Sequence, residues 1–274
     1  MNTPAPSEPN VVSLLDLSIS TDGILSLTLN RPDAANALSV ALMGDMQKAL
    51  THASSDSQVR VVVIRAAGSN FCAGHDLKEM TAARGQADGG HEFFDALFMQ
   101  CAHLMQTIAR YPKPVIAQVK GMATAAGCQL VASCDMALAD EDARFATPGV
   151  DIGLFCSTPA VALSRNVSRK HAMEMLLTGE PIEAQRAYEI GLINKVTKPE
   201  KLEEETRQLA HLIAAKPPHV VKLGKIGFHV QEHLDLHAAY QHASRVMTEN
   251  MMRAEAKEGV QAFISKRSPN WPKN

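Results

Sequence analysis

Aromatic residues are scarce: one Trp, three Tyr and eight Phe make up 4% of the 274 residues. That scarcity excludes a stacking platform for single-stranded nucleic acid. No charge is in excess either. Lys and Arg number 27 against 29 Asp and Glu, a net charge of −2, so there is no positive field to hold a phosphate backbone and no nucleic-acid partner is expected. No apolar run reaches the ~18 residues of a membrane span. The five cysteines (Cys72, Cys101, Cys128, Cys134 and Cys156) are odd in number and sit mostly in apolar context. They read as reduced thiols and not as a disulfide framework. The opening MNTPAPSEPN lacks a basic segment, an apolar segment and Arg. It is expected to be neither signal nor transit peptide but a disordered lead-in over residues 1–10, and the location expected is cytoplasmic. What remains, 46% hydrophobic and 20% charged, is ordinary for a globular chain of one large domain or two small ones.

Apolar periodicity alternates between two and 3.6, the pattern of an α/β chain. Residues 12–17 and 24–29 flank Thr21-Asp22-Gly23, which predicts a hairpin. An amphipathic helix is predicted over 39–52. The β-branched run at 59–66 (VRVVVIRA) has the character of a strand buried on both faces. A Gly/Asp/Gln loop over 85–90 precedes a helix over 93–111 that Pro112 and Pro114 stop. Strands are expected at 114–119 and 136–139, with a short helix at 125–133 between them. After about Pro181 strands are expected to cease, and helices are predicted over 183–190, 199–215, 218–228, 234–250 and 255–266. The division expected is a core over 11–195 and a C-terminal helical region over 196–274.

Two strand-to-helix connections could carry chemistry. Ser69 to Lys78 follows the buried strand and contains Gly74, so the backbone turns at a strand's C-terminal end, where open α/β sheets bind ligands. Its spacing is not that of a dinucleotide loop. Taken alone it reads as a plain connection with Asp76 as a helix cap. Lys120 to Leu130 crowds small residues at the mouth of a helix, where free N–H groups can stabilise a developing oxyanion. Taken alone it reads as close helix–sheet packing. As a pair, the two turns offer the two N–H donors that chemistry at one thioester carbonyl requires.

The motifs that carry these turns resemble the enoyl-CoA hydratase/isomerase (crotonase) superfamily. They are Asn30-Arg31-Pro32 through Asn36-Ala37-Leu38, FCAGHDLKEM at 71–80, KPVIAQVKGMATAAGCQLVASCD at 113–135, FATPGVDIGL at 145–154, LLTGEPIEAQRAYEIGLINKV at 176–196, and Ala262-Phe263 to Arg267. The resemblance runs in order over about residues 11–268. Within the superfamily, GMATAAGCQLVASCD and FATPGV look most like the enoyl-CoA hydratase domain-containing protein 3 group. It implies an α/β fold of the ClpP/crotonase type: a ββα spiral forming two stacked sheets, with a C-terminal helical region that trimerises, and homotrimers or dimers of trimers as the assembly. It also implies an acyl-CoA ligand held in an oxyanion hole made by the backbone N–H groups of His75 and Ala126, with no metal and no cofactor beyond the coenzyme A of the substrate. Substrate contacts are implied for Asp33, Ala34, Ala35, Ala73, Gly74, Asp76, Leu77, Thr124 and Pro148. Phe263 and Lys266 match a C-terminal pair that reaches a neighbouring subunit's coenzyme A, although Phe263 reads equally well as a helix core position.

Hydratases of the family place and activate one water with two glutamates, and at those positions this chain has Gln129 and Gly149. Gln129 can hydrogen-bond a water but cannot take its proton, and Gly149 has no side chain. Each positioned acid or base is worth ~10²–10⁴-fold, so hydratase activity is expected to be weak or absent. Replacing both by glutamate is expected to raise hydration. Asp151, on the same side of an extended segment as Gly149, is the candidate acid or base for a different reaction, isomerisation or thioester hydrolysis. It reads equally as a loop carboxylate capping the next helix. Cys128 reads as a buried small hydrophobe rather than as a nucleophile with His75 as base. His229, His233 and His237 recur at i, i+4 and i+8, with His242 beyond. They read as a solvated or interface face rather than a metal site, since no H-E-x-x-H pattern accompanies them. Three functions remain open: an acyl-CoA-binding protein with little or no hydratase activity, an active isomerase or hydrolase using Asp151, and a non-catalytic regulatory trimer in fatty-acid metabolism.

Overall fold

The computed structural model describes residues 13–272. The lead-in expected at 1–10 lies outside the described residues, as does residue 12 of the first expected strand. Strands β1 (Leu15–Ile19) and β2 (Ile24–Leu29) form the antiparallel hairpin that the turn residues predict. A 3-10 turn, Pro32–Ala34, leads to helix α1 (Val40–Ser55), capped by the Ser39 side chain accepting from the N–H of Leu42. Then come β3 (Val61–Ala66), α2 (Leu77–Ala83), α3 (His91–Ala109), β4 (Val115–Val119) and β5 (Met122–Thr124). Helix α4 (Ala126–Ser133), β6 (Met136–Asp140) and β7 (Arg144–Ala146) follow. After a 3-10 turn at Pro148–Ile152 the chain forms α5 (Ser157–Leu163), α6 (Arg169–Thr178), β8 (Ile182–Glu183), α7 (Ala184–Glu189) and β9 (Lys195–Thr197). Helices α8 (Leu202–Ala214), α9 (Pro218–Gln231), α10 (Leu236–Met251) and α11 (Ala254–Ile264) close it.

The strands make a six-stranded sheet in the order β1-β2-β3-β4-β6-β9 and a three-stranded sheet in the order β5-β7-β8. Everything after the hairpin in the larger sheet is parallel. Period two fixes which side chain faces which layer. Val62 and Ile64 of β3 join the main core with Leu42, Met43, Met46 and Leu50 of α1 and Leu104 and Ile108 of α3. Val61 and Val63 point the other way and meet Leu202, Ala210 and Ala214 of α8. Helix α8 therefore roofs the second face of the sheet, which is why β3 is apolar on both faces up to Arg65.

The expectation that strands cease after Pro181 does not hold. Strand β8 pairs with β7, and β9, which straddles residue 195, pairs with β6. Three-residue strands such as β5, β7 and β9 are too short for any periodicity to register. The C-terminal helices are tied to the core by Lys225 of α9. Its Nζ donates to Asp135 Oδ2 at 2.6 Å and to the Lys113 carbonyl at 3.1 Å.

Candidate functional site

The two connections singled out in the sequence run side by side. The N–H of Cys72 donates to the Met122 carbonyl at 3.0 Å, and the N–H of Thr124 donates to the Cys72 carbonyl at 2.9 Å. Cys72 thus makes an isolated parallel bridge to Ala123 of β5. The approach is so close that a Cβ on Gly127 would fall 2.2 Å from the Cys72 carbonyl oxygen; only glycine fits. A Cβ on Gly74 would stand 3.0 Å from the Ala125 Cβ, 3.1 Å from the Thr124 carbonyl oxygen and 3.4 Å from the Ala126 nitrogen, so the two turns approach closely there as well. Gly74 has φ +92°.

The backbone at the mouth of α4 is strained. Ala125 adopts φ 49° and ψ −116°, a region that costs an L-residue roughly 1–3 kcal/mol. Its own N–H is used on the Ala146 carbonyl at 2.9 Å, which leaves Ala126 as the first helical donor. Among the described residues neither the His75 nor the Ala126 N–H has a hydrogen-bond acceptor. Two donors on adjoining turns are thus left unengaged.

The flanking residues are held firmly. The N–H of Ala73 donates to the Ala35 carbonyl at 3.0 Å, which brings the turn of Asp33, Ala34 and Ala35 against the 73–77 segment. Asp76 caps α2 by accepting from the N–H of Lys78 and pairs with Arg31 at 2.8 Å. Burial, the largest single influence, raises its pKa, but the Arg31 guanidinium and the Lys78 and Glu79 N–H groups together outweigh it and hold the carboxyl below its ordinary value. Leu77 is 54% exposed beside it.

Gln129 is buried on α4, and its Oε1 faces the Cys101 Sγ of α3 at 4.0 Å. Gly149 is buried in the Pro148–Ile152 turn. A Cβ there would meet the Leu154 carbonyl oxygen at 2.8 Å and the Cys156 Sγ at 2.9 Å. The backbone of 154–156 has closed over the position, so restoring a glutamate requires that segment to move. Asp151 is exposed, and its Oδ2 lies 2.9 Å from where a Cβ on Gly179 would stand, beside the last turn of α6.

All five cysteines are free and buried. Burial pushes the Cys72, Cys101 and Cys128 thiols up to about 12, far from thiolate formation at neutral pH. Phe263 and Lys266 stand at the outer end of α11, Phe263 being 85% exposed. The histidine stripe is not on one helix: His229 lies in α9, His233 in the turn after it and His237 in α10, because Asp235 starts a new helix by capping Ala238. Among the described residues no group of three or more His, Cys, Asp or Glu side chains could hold a metal. Sequence reasoning did not single out Phe98 and Cys101 of α3, nor Leu154 and Cys156. The i, i+3 spacing of Phe98 and Cys101 on a predicted helix was the available signal.

The fold agrees with the comparisons. The model of the enoyl-CoA hydratase/isomerase family matches residues 20–274, and the chain belongs to that family. It is 46% identical over 265 residues to a rat (Rattus norvegicus) protein named enoyl-CoA hydratase domain-containing protein 3, mitochondrial, covering 97% of this chain and 85% of that one. A crystal structure of a Mycobacterium smegmatis enoyl-CoA hydratase superposes with a TM-score of 0.91 at 49% identity, over 94% of this chain and 99% of that one. The human enoyl-CoA hydratase domain-containing protein 3 gives 0.90 at 44% identity, over 94% and 100%. The fold is thus of the crotonase type, with the C-terminal helices that type implies. The cytoplasmic location expected from the first residues does not match the mitochondrial name of the rat relative. No helix among the described residues is long and apolar enough to cross a membrane.

Proposed function

We propose that this chain binds acyl-CoA thioesters, with the thioester oxygen received by the N–H groups of His75 and Ala126, and that it hydrates enoyl-CoA weakly or not at all. The observation that carries the reading is the pair of unengaged N–H groups on turns clamped together at Cys72 and Thr124, beside positions 129 and 149 that hold Gln and Gly. An oxyanion donor contributes ~3–4 kcal/mol in the best-studied case, yet it moves no proton. Gln129 cannot act as a base at any accessible pH.

The remaining contacts follow the clamped segments. Asp33, Ala34, Ala35, Ala73, Gly74, Asp76 and Leu77 form the rim on which the coenzyme A would lie, with Thr124 and Pro148 nearer the acyl group. Asp76, already held by Arg31, would contribute through its main chain. No metal or further cofactor enters the reading. A homotrimer, or a dimer of trimers, is the assembly we favour; the exposed Phe228, Leu236, Tyr240 and Met247 of α9 and α10 support it, and Phe263 and Lys266 would then meet a neighbouring subunit. The rival in which Asp151 is the acid or base of an isomerase or hydrolase draws less support, because its carboxylate lies beside Gly179.

Crotonyl-CoA hydration, followed as loss of the enoyl-thioester absorbance, tests this beside a calorimetric titration with butyryl-CoA on the same sample. Saturable binding without turnover is expected. Turnover within the ordinary enzymatic range of ~1–10³ per second would overturn the loss of hydration, and no binding would overturn the site itself and favour the non-catalytic regulatory trimer.

A further inference from the structure

The paired turns follow the C-terminal ends of β3 and β4; a separate cavity lies where those two parallel strands begin. Arg60 directly precedes β3 and Pro114 directly precedes β4, and both line it. The cavity has a volume of about 740 Å³, and the junction of α8 with α9 closes its far side. Six residues of strand, roughly 20 Å, stand between it and the turns.

What the cavity concentrates is unpaired positive charge. Arg60, Lys113, Lys216 and Lys222 line it, against two carboxylates, Asp56 and Glu255. Among the described residues none of these four cations is ion-paired. The bonds that hold two of them go to neutral carbonyls. Arg60 Nη2 donates to the Lys216 carbonyl at 2.7 Å, and Lys113 Nζ donates to the Ala53 and Asp56 carbonyls at 2.6 Å each. Such bonds fix the side chains without cancelling their charge. Burial and the nearby Lys222 and Arg60 charges hold the Lys113 ammonium below its ordinary pKa, with Asp56 opposing. Lys225, one turn further along α9, is by contrast neutralised by Asp135 at 2.6 Å.

Helix α9 adds to the same sign. Its N-cap is Pro217 and its first turn holds no acid. Among the described residues the N–H groups of His219 and Val220 have no acceptor. The helix start therefore presents partial positive charge beside the cluster. Like charges gathered in one place repel, in a chain whose net charge is −2, and a bound anion removes that repulsion.

We propose that this cavity binds a polyphosphate, a ligand with two or more linked phosphate groups, through Arg60, Lys113, Lys216 and Lys222. A single phosphate engages only part of a cluster drawn from three stretches of chain. A linked phosphate chain meets Arg60 as a fork and the lysines as point charges. Trp271, the one Trp of the chain, lines the same cavity and offers a ring face on which a nucleoside base could stack. The inference is independent of the thioester reading.

The full-length protein is titrated calorimetrically with inorganic tripolyphosphate and with ATP, and Trp271 fluorescence is read on the same samples. Saturable binding is expected, with a change in Trp271 emission and an affinity that falls as salt is added. Equal affinities would assign recognition to the phosphate chain alone, and tighter ATP binding would add the base at Trp271. Lys216 and Lys222 are exposed, so Lys216→Gln combined with Lys222→Gln is expected to fold and to weaken binding about tenfold. No saturable binding of either ligand would overturn the inference. Binding that the double variant keeps in full would place the phosphates elsewhere and overturn it equally. Should the double variant not fold, Lys222→Gln alone decides, with an expected loss of roughly threefold.

Discussion

The main-chain carbonyl of Cys72 accepts the N–H of Thr124 at 2.9 Å, and the same oxygen would lie 2.2 Å from a Cβ on Gly127. One oxygen atom thus sets how far apart the His75 and Ala126 turns stand. The pairing is made by backbone alone, so donor geometry depends on glycine and on local strain more than on any functional side chain.

Ala125 is the strained member of the pair, at φ 49°. Ala125→Gly is expected to raise stability by ~1 kcal/mol, since glycine adopts this region freely and the entropic cost of glycine offsets only part of the relief. Thermal melting checks it; a lower midpoint would mean that the methyl group's packing outweighs the strain.

Gln129→Glu combined with Gly149→Glu does not simply rebuild a hydratase. The second change places a Cβ 2.8 Å from the Leu154 carbonyl and 2.9 Å from the Cys156 Sγ. Displacing that backbone is expected to cost ~1–3 kcal/mol, as overpacking commonly does. The double variant is expected to melt lower than the wild type and to gain hydration only to the extent that 154–156 moves. Gln129→Glu alone, one carboxylate short, is expected to leave crotonyl-CoA hydration unchanged. Paired melting and hydration assays read both effects, and a fully stable double variant would show the segment to be freely adjustable.

Thiol titration with a disulfide reagent at pH 8 is expected to find no fast-reacting cysteine in the native protein and all five after denaturation, since all five are buried. The Cys72, Cys101 and Cys128 thiols, pushed up to about 12, offer almost no thiolate. A single fast thiol assigned to Cys128 would revive a nucleophilic role for it.

Acid sensitivity should include a contribution from His75. Burial depresses its folded pKa, while an unfolded chain titrates near ~6.5. As the pH falls below that value the unfolded state takes up a proton that the native ring refuses, so the contribution is complete above ~6.5 and is lost as the pH drops toward the folded pKa. Between pH 7.5 and 5 the melting midpoint of the wild type is expected to fall relative to that of His75→Phe. Parallel curves would mean that the ring protonates in the folded protein as readily as in the unfolded one.

Much of this protein was legible in its sequence. The hairpin around Gly23, the doubly buried β3 and the family motifs at 71–80 and 113–135 each follow from local pattern, because turn chemistry and side-chain period act between near neighbours. Gln129 and Gly149 were likewise visible as residues without the expected chemistry. Other features were not legible there. The three-residue strands β5, β7 and β9 exist because partners elsewhere in the chain supply their hydrogen bonds. The histidine stripe was broken by the cap at Asp235, and the closure of Leu154 and Cys156 over Gly149 is a contact across a loop. The edge-on meeting of the His75 and Phe98 rings joins residues on different elements. The sequence by itself determined which groups are available; the tertiary structure decided which of them are left without partners, because an N–H or an ammonium group is unpaired only by virtue of everything packed around it.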